Sequence, residues 1–313
     1  MKILLTGAAG FIGSHAAESI KALGHEVIGL DNFSPYYNIA LKNLNAAALS
    51  AKDIPVLNVD LRWDNLSEKL SNDFDYIFHF AAHPGISQTS TFEDYISNNI
   101  EGTQNLLEFA QTFPKTPFFV NISTSSVYGL EATFPETTVP KPASWYGVTK
   151  LAAEQLVLAK IRMQQLRGTS MRLYSVYGPR ERPDKLYTRL IDCALNNKPF
   201  PLFEGSEKHL RSFTYVKDIV DGLVGIIGKE EICNGEIFNL GTEIEASTAQ
   251  GIQTLEDILG IKIKMEAKPP RAGDQSRTKA NIDKARELLN YNPTTSLKEG
   301  LEQQLAWFKA NFG

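Results

Sequence analysis

The chain has 313 residues, a formal net charge of −4 at pH 7, and 42% hydrophobic against 22% charged residues. This length and balance are typical of a globular protein with a large core, and they predict two lobes. Because the sequence has no run of Lys and Arg and no long apolar segment, we expect neither a nucleic-acid nor a membrane partner.

Short apolar runs alternate with helical patterns through the first half of the chain. The sequence predicts strands at 2–6, 26–30, 55–59, 76–80, 118–122 and 170–173, and helices at 12–22, 98–112 and 146–166. Such alternation is typical of βαβ units. We therefore predict an α/β fold built on a doubly wound parallel sheet, with helices on both faces and right-handed crossovers.

The pattern loosens after Gly178, where prolines at 179, 183, 199 and 201 flank a helix predicted at 186–196. Strands follow at 213–216 and 237–240, and an amphipathic helix at 297–311 closes the chain. We infer a first lobe of residues 1–175 with returns near 211–241, and a smaller irregular lobe made of 176–210 and 242–313.

A glycine-rich turn joins the first predicted strand to the first predicted helix. Gly7, Gly10 and Gly13 have the spacing that lets backbone N–H groups and a helix N-terminus face a pyrophosphate. Asp31 ends the second strand, where a carboxylate can bind the adenosine ribose and repel the 2′-phosphate of NADP. The alternative for Asp31 is a loop acid or an Asx turn with Asn32. Strand, loop, helix and acid together predict NAD as the cofactor and a sheet of the Rossmann type.

A possible chemical pair lies farther along the chain. Tyr146 and Lys150 are four residues apart, and side chains with this spacing share one face of a helix. An ammonium beside a phenol favours phenolate and lowers the tyrosine pKa from about 10 toward neutral. The pair therefore indicates a base for redox chemistry at a sugar or alcohol carbon, although the same spacing also occurs by chance on solvated helix faces.

Other kinds of reactive site find little support in the sequence. The two cysteines, Cys193 and Cys233, fit no metal spacing, and such sparse usage is typical of reduced thiols in the cytoplasm. His79 falls in a predicted core strand, where a structural role is the simpler interpretation. We find no cluster with metal-ligand spacing and no nucleophilic triad, so we predict no metal.

Several further motifs resemble the extended short-chain dehydrogenase/reductase family, which includes NAD-dependent nucleotide-sugar epimerases and dehydratases. The resemblance covers nearly the whole chain. The matching segments are 6–13, Asp60-Leu61, 79–82, 123–129, Tyr146 with Lys150, 176–180 and 211–216. It implies that residues 1–175 bind NAD and that the second lobe binds a nucleotide sugar.

The resemblance implies a role for each matched residue. The expected NAD contacts are Gly7, Gly10, Phe11, Ile12, Gly13, Asp31, Asn32, Asp60, Leu61, Ala81, Ala82, Asn99, Tyr146, Lys150, Ser175 and Val176. The expected reaction centre is Thr124, Tyr146 and Lys150, together with Ser125 and Ser126. The expected UDP-sugar contacts are Thr124, Ser175, Arg182, Arg211, Arg271, Asp274 and Thr278.

Two positions after Thr124 favour one reaction within the family. Members that dehydrate or decarboxylate sugars usually carry Asp or Glu there, whereas this chain has Ser125 and Ser126. A serine cannot act as an elimination acid or base at neutral pH without unusual activation. Epimerisation through a 4-keto intermediate needs neither carboxylate, so the resemblance implies a UDP-sugar 4-epimerase.

The sugar is indicated by two loops. The segments 31–37 with Leu41-Lys42, and 180–184, look like those of UDP-glucuronate 4-epimerases. We expect Arg182 to bind the C6 carboxylate bidentately. The small Thr278 is expected to leave room for a bulkier C6 group or for an N-acetyl group. Lys185 departs from the family, because a Met usually follows that Pro-Asp.

Other interpretations stay open. The chain could be a UDP-glucose or UDP-N-acetylglucosamine 4-epimerase, or a non-catalytic NAD-binding module. The family also implies a homodimer, in which the helices predicted at 98–112 and 146–166 would form a four-helix contact.

Overall fold

A computed structural model describes residues 1–87, 89–270 and 275–312. Its α-helices in chain order are α1 (Phe11–Ala22), α2 (Ile39–Ser50), α3 (Leu66–Lys69), α4 (Phe92–Tyr95), α5 (Gly102–Gln111), α6 (Trp145–Arg162), α7 (Leu186–Leu195), α8 (Val216–Val224), α9 (Glu230–Cys233), α10 (Thr248–Leu259), α11 (Asp283–Leu289) and α12 (Leu297–Phe312). A π-helical turn covers Ile96–Glu101, and 3-10 turns cover Ser125–Tyr128 and Ser206–Lys208. Within these described ranges, none of the helices has the length and apolarity needed to span a membrane.

The strands fall into one large and three small sheets. In chain order they are β1 (Lys2–Thr6), β2 (Glu26–Asp31), β3 (Val56–Asn58), β4 (Tyr76–His79), β5 (Phe118–Thr124), β6 (Glu131–Ala132), β7 (Arg167–Leu173), β8 (Val176–Tyr177), β9 (Phe200–Phe203), β10 (Leu210–Arg211), β11 (Thr214–Tyr215), β12 (Ile237–Leu240), β13 (Ala246–Ser247), β14 (Met265–Lys268) and β15 (Arg277–Thr278).

The large sheet confirms the predicted fold class. Its strand order is β3-β2-β1-β4-β5-β7-β12, and every pairing within it is parallel. The central strands β4 and β5 are buried along their whole length, as their mostly apolar sequences require when helices cover both faces. The chain order reverses between β1 and β4. In such sheets, a crevice for ligands opens at the carboxyl ends of the strands on either side of this switch point.

The second lobe stands over those carboxyl ends. It contains a small mixed sheet of β13-β10-β15-β6, a two-stranded sheet of β9 and β14, and the helices α7, α10 and α12. The strand β12 returns to the edge of the large sheet beside β7. The division at 1–175, 176–210 and 242–313 stays a prediction, although this return lies in the range expected for it.

The helix predicted at 98–112 differs from the observed one. The helical segment begins at α4, where Thr91 and Asp94 form a capping box, and passes through the π-helical turn into α5. The hydroxyl of Thr103 donates a hydrogen bond of 2.6 Å to the carbonyl of Asn99 at this turn. A π-helical turn inserts an extra residue into the helix, and the hydrophobic pattern alone did not predict it.

Candidate active site

A cleft of about 560 Å³ lies between the two lobes, at the switch point of the large sheet. Its floor comes from the ends of β1, β4, β5 and β7, and its walls come from α6 and from the segments at 31–42, 81–86 and 175–189. Most of the predicted site residues meet there. The cleft is lined by Gly7, Gly10, Phe11, Ile12, Gly13, Asp31, Asn32, Asp60, Leu61, Ala81, Ala82, Thr124, Ser125, Ser126, Tyr146, Lys150, Ser175, Val176, Arg182 and Arg211.

The glycine turn at the end of β1 is packed too closely against neighbouring backbone to hold side chains at Gly7 and Gly13. Gly7 has φ of +72°, which glycine adopts without strain, and a Cβ there would lie 2.8 Å from the backbone nitrogen of Ala81. A Cβ on Gly13 would lie only 2.3 Å from the carbonyl oxygen of Gly7. This tight turn places the first turn of α1 at the cleft, where its N–H groups can face a pyrophosphate.

The Asp31 carboxylate is fixed at the end of β2. It accepts hydrogen bonds from the backbone N–H groups of Ala9 at 3.2 Å and Phe33 at 2.8 Å. It also forms a buried ion pair of 2.8 Å with Lys42, which lines the cleft as well. The position suits the ribose contact expected from the sequence, and Lys42 is a cation next to it that sequence reasoning assigned no role.

The Asp60 carboxylate lies beside the same end of the cleft and is held by two side chains. Arg62 donates from Nε at 2.9 Å and from Nη2 at 2.6 Å, and the Asn32 amide donates at 3.1 Å. The hydrogen bonds from Arg62 lower the pKa of Asp60 to about 2. Arg62 was not predicted as a site residue, although it follows Asp60-Leu61 directly.

Lys150 provides the strongest test of whether NAD fits this cleft. Its side chain is buried, and across the described part of the chain we find no hydrogen bond or ion pair that satisfies its ammonium. Burial lowers the pKa of Lys150 to about 8, and the nearby Glu154 opposes this change. A buried cation that lines a cleft in this way fits an absent partner with several oxygens, such as the ribose of a dinucleotide.

Tyr146 lies one helical turn before Lys150 and lines the cleft. Burial raises the pKa of Tyr146 above its usual value, while Thr124 and then Arg182 act to lower it. The sequence expectation that Lys150 would lower this pKa toward neutral is therefore wrong for the protein without cofactor, because desolvation of the phenolate dominates.

Thr124 and the two serines after it form the floor beneath Tyr146. Thr124 ends β5, and its hydroxyl accepts a hydrogen bond of 3.2 Å from the backbone N–H of Ser126. Ser125 is buried, and both serines line the cleft. None of these three side chains is a carboxylic acid, so the floor offers hydroxyl groups rather than an elimination acid.

Arg182 reaches into the cleft from the loop after β8. Its Nε and Nη2 atoms donate to the two Asp184 oxygens at 3.0 and 2.9 Å, and its guanidinium lies 5.6 Å from the centre of the Tyr36 ring. The guanidinium lowers the pKa of Tyr146 and is itself affected by that phenol. The predicted carboxylate-binding residue and the predicted base are therefore neighbours in one site.

Two predicted site residues lie behind the cleft wall. Asn99 is buried, accepts a hydrogen bond of 2.7 Å from the backbone N–H of His83, and donates one of 3.0 Å to the Thr149 hydroxyl. Thr278 is buried beside Ser175, with 3.3 Å between their hydroxyl oxygens. The geometry makes both of them supports for residues that do line the cleft, rather than ligand contacts.

His79 is a structural residue, as the sequence suggested. Thr103 donates to Asn99, so its hydroxyl accepts from His79 Nε2 at 2.9 Å, and His79 Nδ1 then accepts from the Thr6 hydroxyl at 2.8 Å. Burial lowers the pKa of His79 to about 3, which keeps the ring neutral. The imidazole thereby connects β4, which carries it, to β1 and α5.

The expected diphosphate contacts are only partly described. Arg211 lines the second-lobe end of the cleft, and its guanidinium donates to the carbonyl groups of Leu210 and Gln275. Arg271 and Asp274 lie outside the described residues. Their assignment therefore stays a prediction.

Comparison with known proteins identifies the family. The sequence model of the NAD dependent epimerase/dehydratase family matches residues 3–241. The chain belongs to this family. The predicted membership is thus confirmed, and with it the dependence on NAD that the cleft fits.

Individual relatives match over nearly the whole chain. A Bacillus subtilis (strain 168) protein named as an uncharacterized UDP-glucose epimerase, YtcB, is 39% identical over 99% of this chain and 98% of its own length. UDP-glucuronate 4-epimerase 6 of Arabidopsis thaliana is 34% identical over 100% of this chain and 72% of its own. The crystal structure of UDP-glucuronic acid 4-epimerase from Bacillus cereus, in complex with UDP-glucuronic acid and NAD, superimposes with a TM-score of 0.93 at 37% identity and covers 100% of both chains.

Proposed function

We propose that this protein is an NAD-dependent 4-epimerase of a UDP-hexuronate, interconverting UDP-glucuronate and UDP-galacturonate. The observation that carries the proposal is the position of Arg182, whose guanidinium acts on the Tyr146 phenol across the cleft. A sugar whose C4 hydroxyl meets Tyr146 would hold its C6 group near this guanidinium. A carboxylate is the group that an arginine fork binds best there.

Different residues of the cleft would have different roles in epimerisation. Thr124 and Tyr146 both line the cleft, and Thr124 acts to lower the pKa of Tyr146, so a C4 hydroxyl placed between them can pass its proton to the Tyr146 oxygen. Gly7, Gly13, Asp31 and Lys150 would hold NAD, which when bound supplies the hydride acceptor and donor. Arg182 lowers the pKa of Tyr146 and thereby favours the phenolate that accepts the proton. Ser125 and Ser126 leave the cleft floor without the acid that dehydration needs.

A UDP-glucose 4-epimerase is the second candidate. One observation favours it: the Asp184 carboxylate already occupies two donors of Arg182, so the guanidinium carries a partner before any substrate arrives. The name of the Bacillus subtilis relative points the same way. A neutral C6 hydroxyl would leave the Arg182–Asp184 pair in place.

A panel of UDP-sugars separates the two candidates. Purified holoenzyme would be incubated with UDP-glucuronate, UDP-glucose and UDP-N-acetylglucosamine, and the products would be resolved by chromatography and proton NMR. We expect the highest kcat/KM with UDP-glucuronate. A preference for UDP-glucose of tenfold or more, on the order of one lost charge-assisted contact, would reject the uronate assignment.

We also propose a homodimer that acts in the cytoplasm. Trp145 and Val148 on α6 are apolar yet 54% and 43% exposed, and Phe92 packs on Trp145 with 5.7 Å between ring centres. A second copy of α5 and α6 would cover such a surface. Cys193 and Cys233 are both free and buried, which suits a reducing compartment. Mass measurement in solution would test the dimer.

A further inference from the structure

The Arg182 fork is already filled by an acidic side chain of the same loop. Asp184 accepts from Nε and Nη2 in the side-on bidentate arrangement that guanidinium uses for any carboxylate. The two side chains differ in freedom, because that of Arg182 is 10% exposed and that of Asp184 is 49% exposed. The anchored member of the pair is the arginine, and the member that can move away is the aspartate.

A second cation lies beside this pair. Arg182 and Lys185 are the ends of a tight turn, closed by a hydrogen bond of 3.1 Å from the Lys185 N–H to the Arg182 carbonyl. Arg182 Nη2 and Lys185 Nζ lie 3.0 and 3.8 Å from the point where a Cβ on Gly85 would stand. The positive φ of Gly85, +76°, and its lack of a side chain keep this space open. Lys185 also lines the cleft and acts on the Asp184 carboxylate.

Resting on the proposed uronate function, we propose that Asp184 and Lys185 form a carboxylate-exchange pair that selects acidic sugars. Asp184 occupies the Arg182 fork until a sugar carboxylate replaces it, and Lys185 then receives the displaced Asp184 carboxylate. The Asp184 carboxylate thereby keeps a cationic partner before and after the exchange. A neutral sugar brings no anion to the fork and leaves Asp184 where it is.

This arrangement accounts for a cation at position 185 in a site that already has an arginine. A displaced carboxylate with no partner would lose a charge-assisted contact, and that loss would weaken binding of the uronate. A lysine one residue away on the same turn supplies the contact without large backbone movement. Lys185 is thus a specificity-determining residue that acts through Asp184 and does not touch the sugar.

A double-mutant cycle tests the exchange. Dissociation constants of UDP-glucuronate and UDP-glucose would be measured by calorimetry on the NAD-loaded protein in a Tyr146→Phe background, which prevents conversion during the titration. We expect Lys185→Met to weaken UDP-glucuronate about tenfold and Lys185→Arg to restore most of the loss. We expect Asp184→Asn to tighten UDP-glucuronate, because it removes the internal competitor.

The combination of the two changes decides between the exchange and direct contact. In the Asp184→Asn protein no charged carboxylate is displaced, so Lys185→Met should then change the UDP-glucuronate constant less than about threefold. An undiminished Lys185→Met effect would mean that Lys185 binds the sugar carboxylate directly, and it would overturn the exchange. Weaker UDP-glucuronate binding by Asp184→Asn alone would also overturn it, since Asp184 would then orient Arg182 rather than compete for it.

A matched control and a separate readout isolate this inference. Lys198 is exposed and faces Asp192 at 3.9 Å near the far end of α7, so Lys198→Met removes a comparable pair away from the cleft. It should leave both constants unchanged. Turnover of UDP-glucuronate by the protein with Tyr146 intact is measured independently. Absence of turnover would reject the proposed function, whereas the binding cycle would still uphold or reject the exchange.

Discussion

Asn99, in the π-helical turn, donates a hydrogen bond of 3.0 Å to the hydroxyl of Thr149, which lies between Tyr146 and Lys150 on α6. The same amide accepts a hydrogen bond of 2.7 Å from the backbone N–H of His83 in the cleft wall. One buried side chain thus fixes the helix that presents the reactive pair against the loop that faces it. The π-helical turn is what places the amide between the two elements.

Replacing Asn99 with Ala should lower both stability and kcat. The change leaves a buried N–H without its partner, so we expect a loss of about 2 kcal/mol in the free energy of unfolding. We expect kcat to fall at least tenfold while KM changes less, because the α6 register is disturbed more than the substrate contacts. Urea unfolding and steady-state kinetics measure both quantities. Asn72→Ala, at an exposed site, serves as the control, and a normal kcat in Asn99→Ala would limit its role to stability.

Lys150 should make the free energy of unfolding of the cofactor-free protein vary with pH in the alkaline range. Burial holds its pKa at about 8, below the usual 10.5, so between these values the unfolded chain binds more protons than the folded one. Stability should therefore rise as pH increases through this window. Below pH 8 the full destabilisation is present.

Lys150→Met isolates that contribution. It should remove the pH-dependent part and stabilise the cofactor-free protein at pH 7 by roughly 1–3 kcal/mol, while it abolishes epimerisation. Urea titrations at several pH values compare it with wild type and with Lys160→Met, a change at a partly exposed lysine on the same helix. Destabilisation of Lys150→Met at pH 7 would show that the ammonium is satisfied in the folded protein.

Arg182→Ala should affect two measurable properties. Loss of a charge-assisted fork should raise KM for UDP-glucuronate about 10- to 100-fold, and KM for UDP-glucose should rise much less. Arg182 lowers the pKa of Tyr146, so its removal should raise that pKa. The part of the pH profile in which kcat/KM increases with pH should therefore move to higher pH with either sugar. Equal KM changes with both sugars would remove the carboxylate role, and an unmoved pH profile would remove the electrostatic one.

Asp31 and Lys42 should together determine cofactor preference. Asp31→Asn leaves a buried Lys42 ammonium beside the ribose position, where it can attract a 2′-phosphate. We expect the preference for NAD over NADP to fall at least tenfold, on the order of one charge-assisted contact, and stability to fall with it. Dissociation constants of both cofactors, measured by fluorescence, check the change. Adding Lys42→Met should recover the stability but not the NADP binding; recovery of neither would mean that the ion pair has another purpose.

The sequence predicted the parts of the fold that follow simple periodicity. The glycine turn between β1 and α1, the acid at the end of β2 and the mostly apolar sequence of β5 each indicated their structure through one local rule. The strand expected at 213–216 was shorter than predicted, because Val216 begins α8 rather than ending β11. Short elements whose ends depend on contacts with the other lobe carry little local signal.

The residues of the candidate site could be predicted where they belong to a sequence motif. How deeply each side chain is buried could not, because burial depends on the whole fold. Tyr146, Thr124 and Arg182 meet in the cleft, but the pKa of Tyr146 depends on how deeply it is enclosed, which no spacing reveals. Asn99 and Thr278 lie near the expected place, yet one layer behind it. The roles of Lys42 and Lys185 depend on Asp31 and Asp184, the carboxylates that lie beside them in the folded protein.

We expect this cleft to remove and return the hydrogen on C4 of a UDP-hexuronate, with Tyr146 as the base. The most direct test incubates holoenzyme with UDP-glucuronate in deuterated water and follows the products by proton NMR, beside the Tyr146→Phe protein. We expect UDP-galacturonate that keeps its protium at C4, and no product from Tyr146→Phe. Deuterium at C4, or comparable conversion by Tyr146→Phe, would contradict the account.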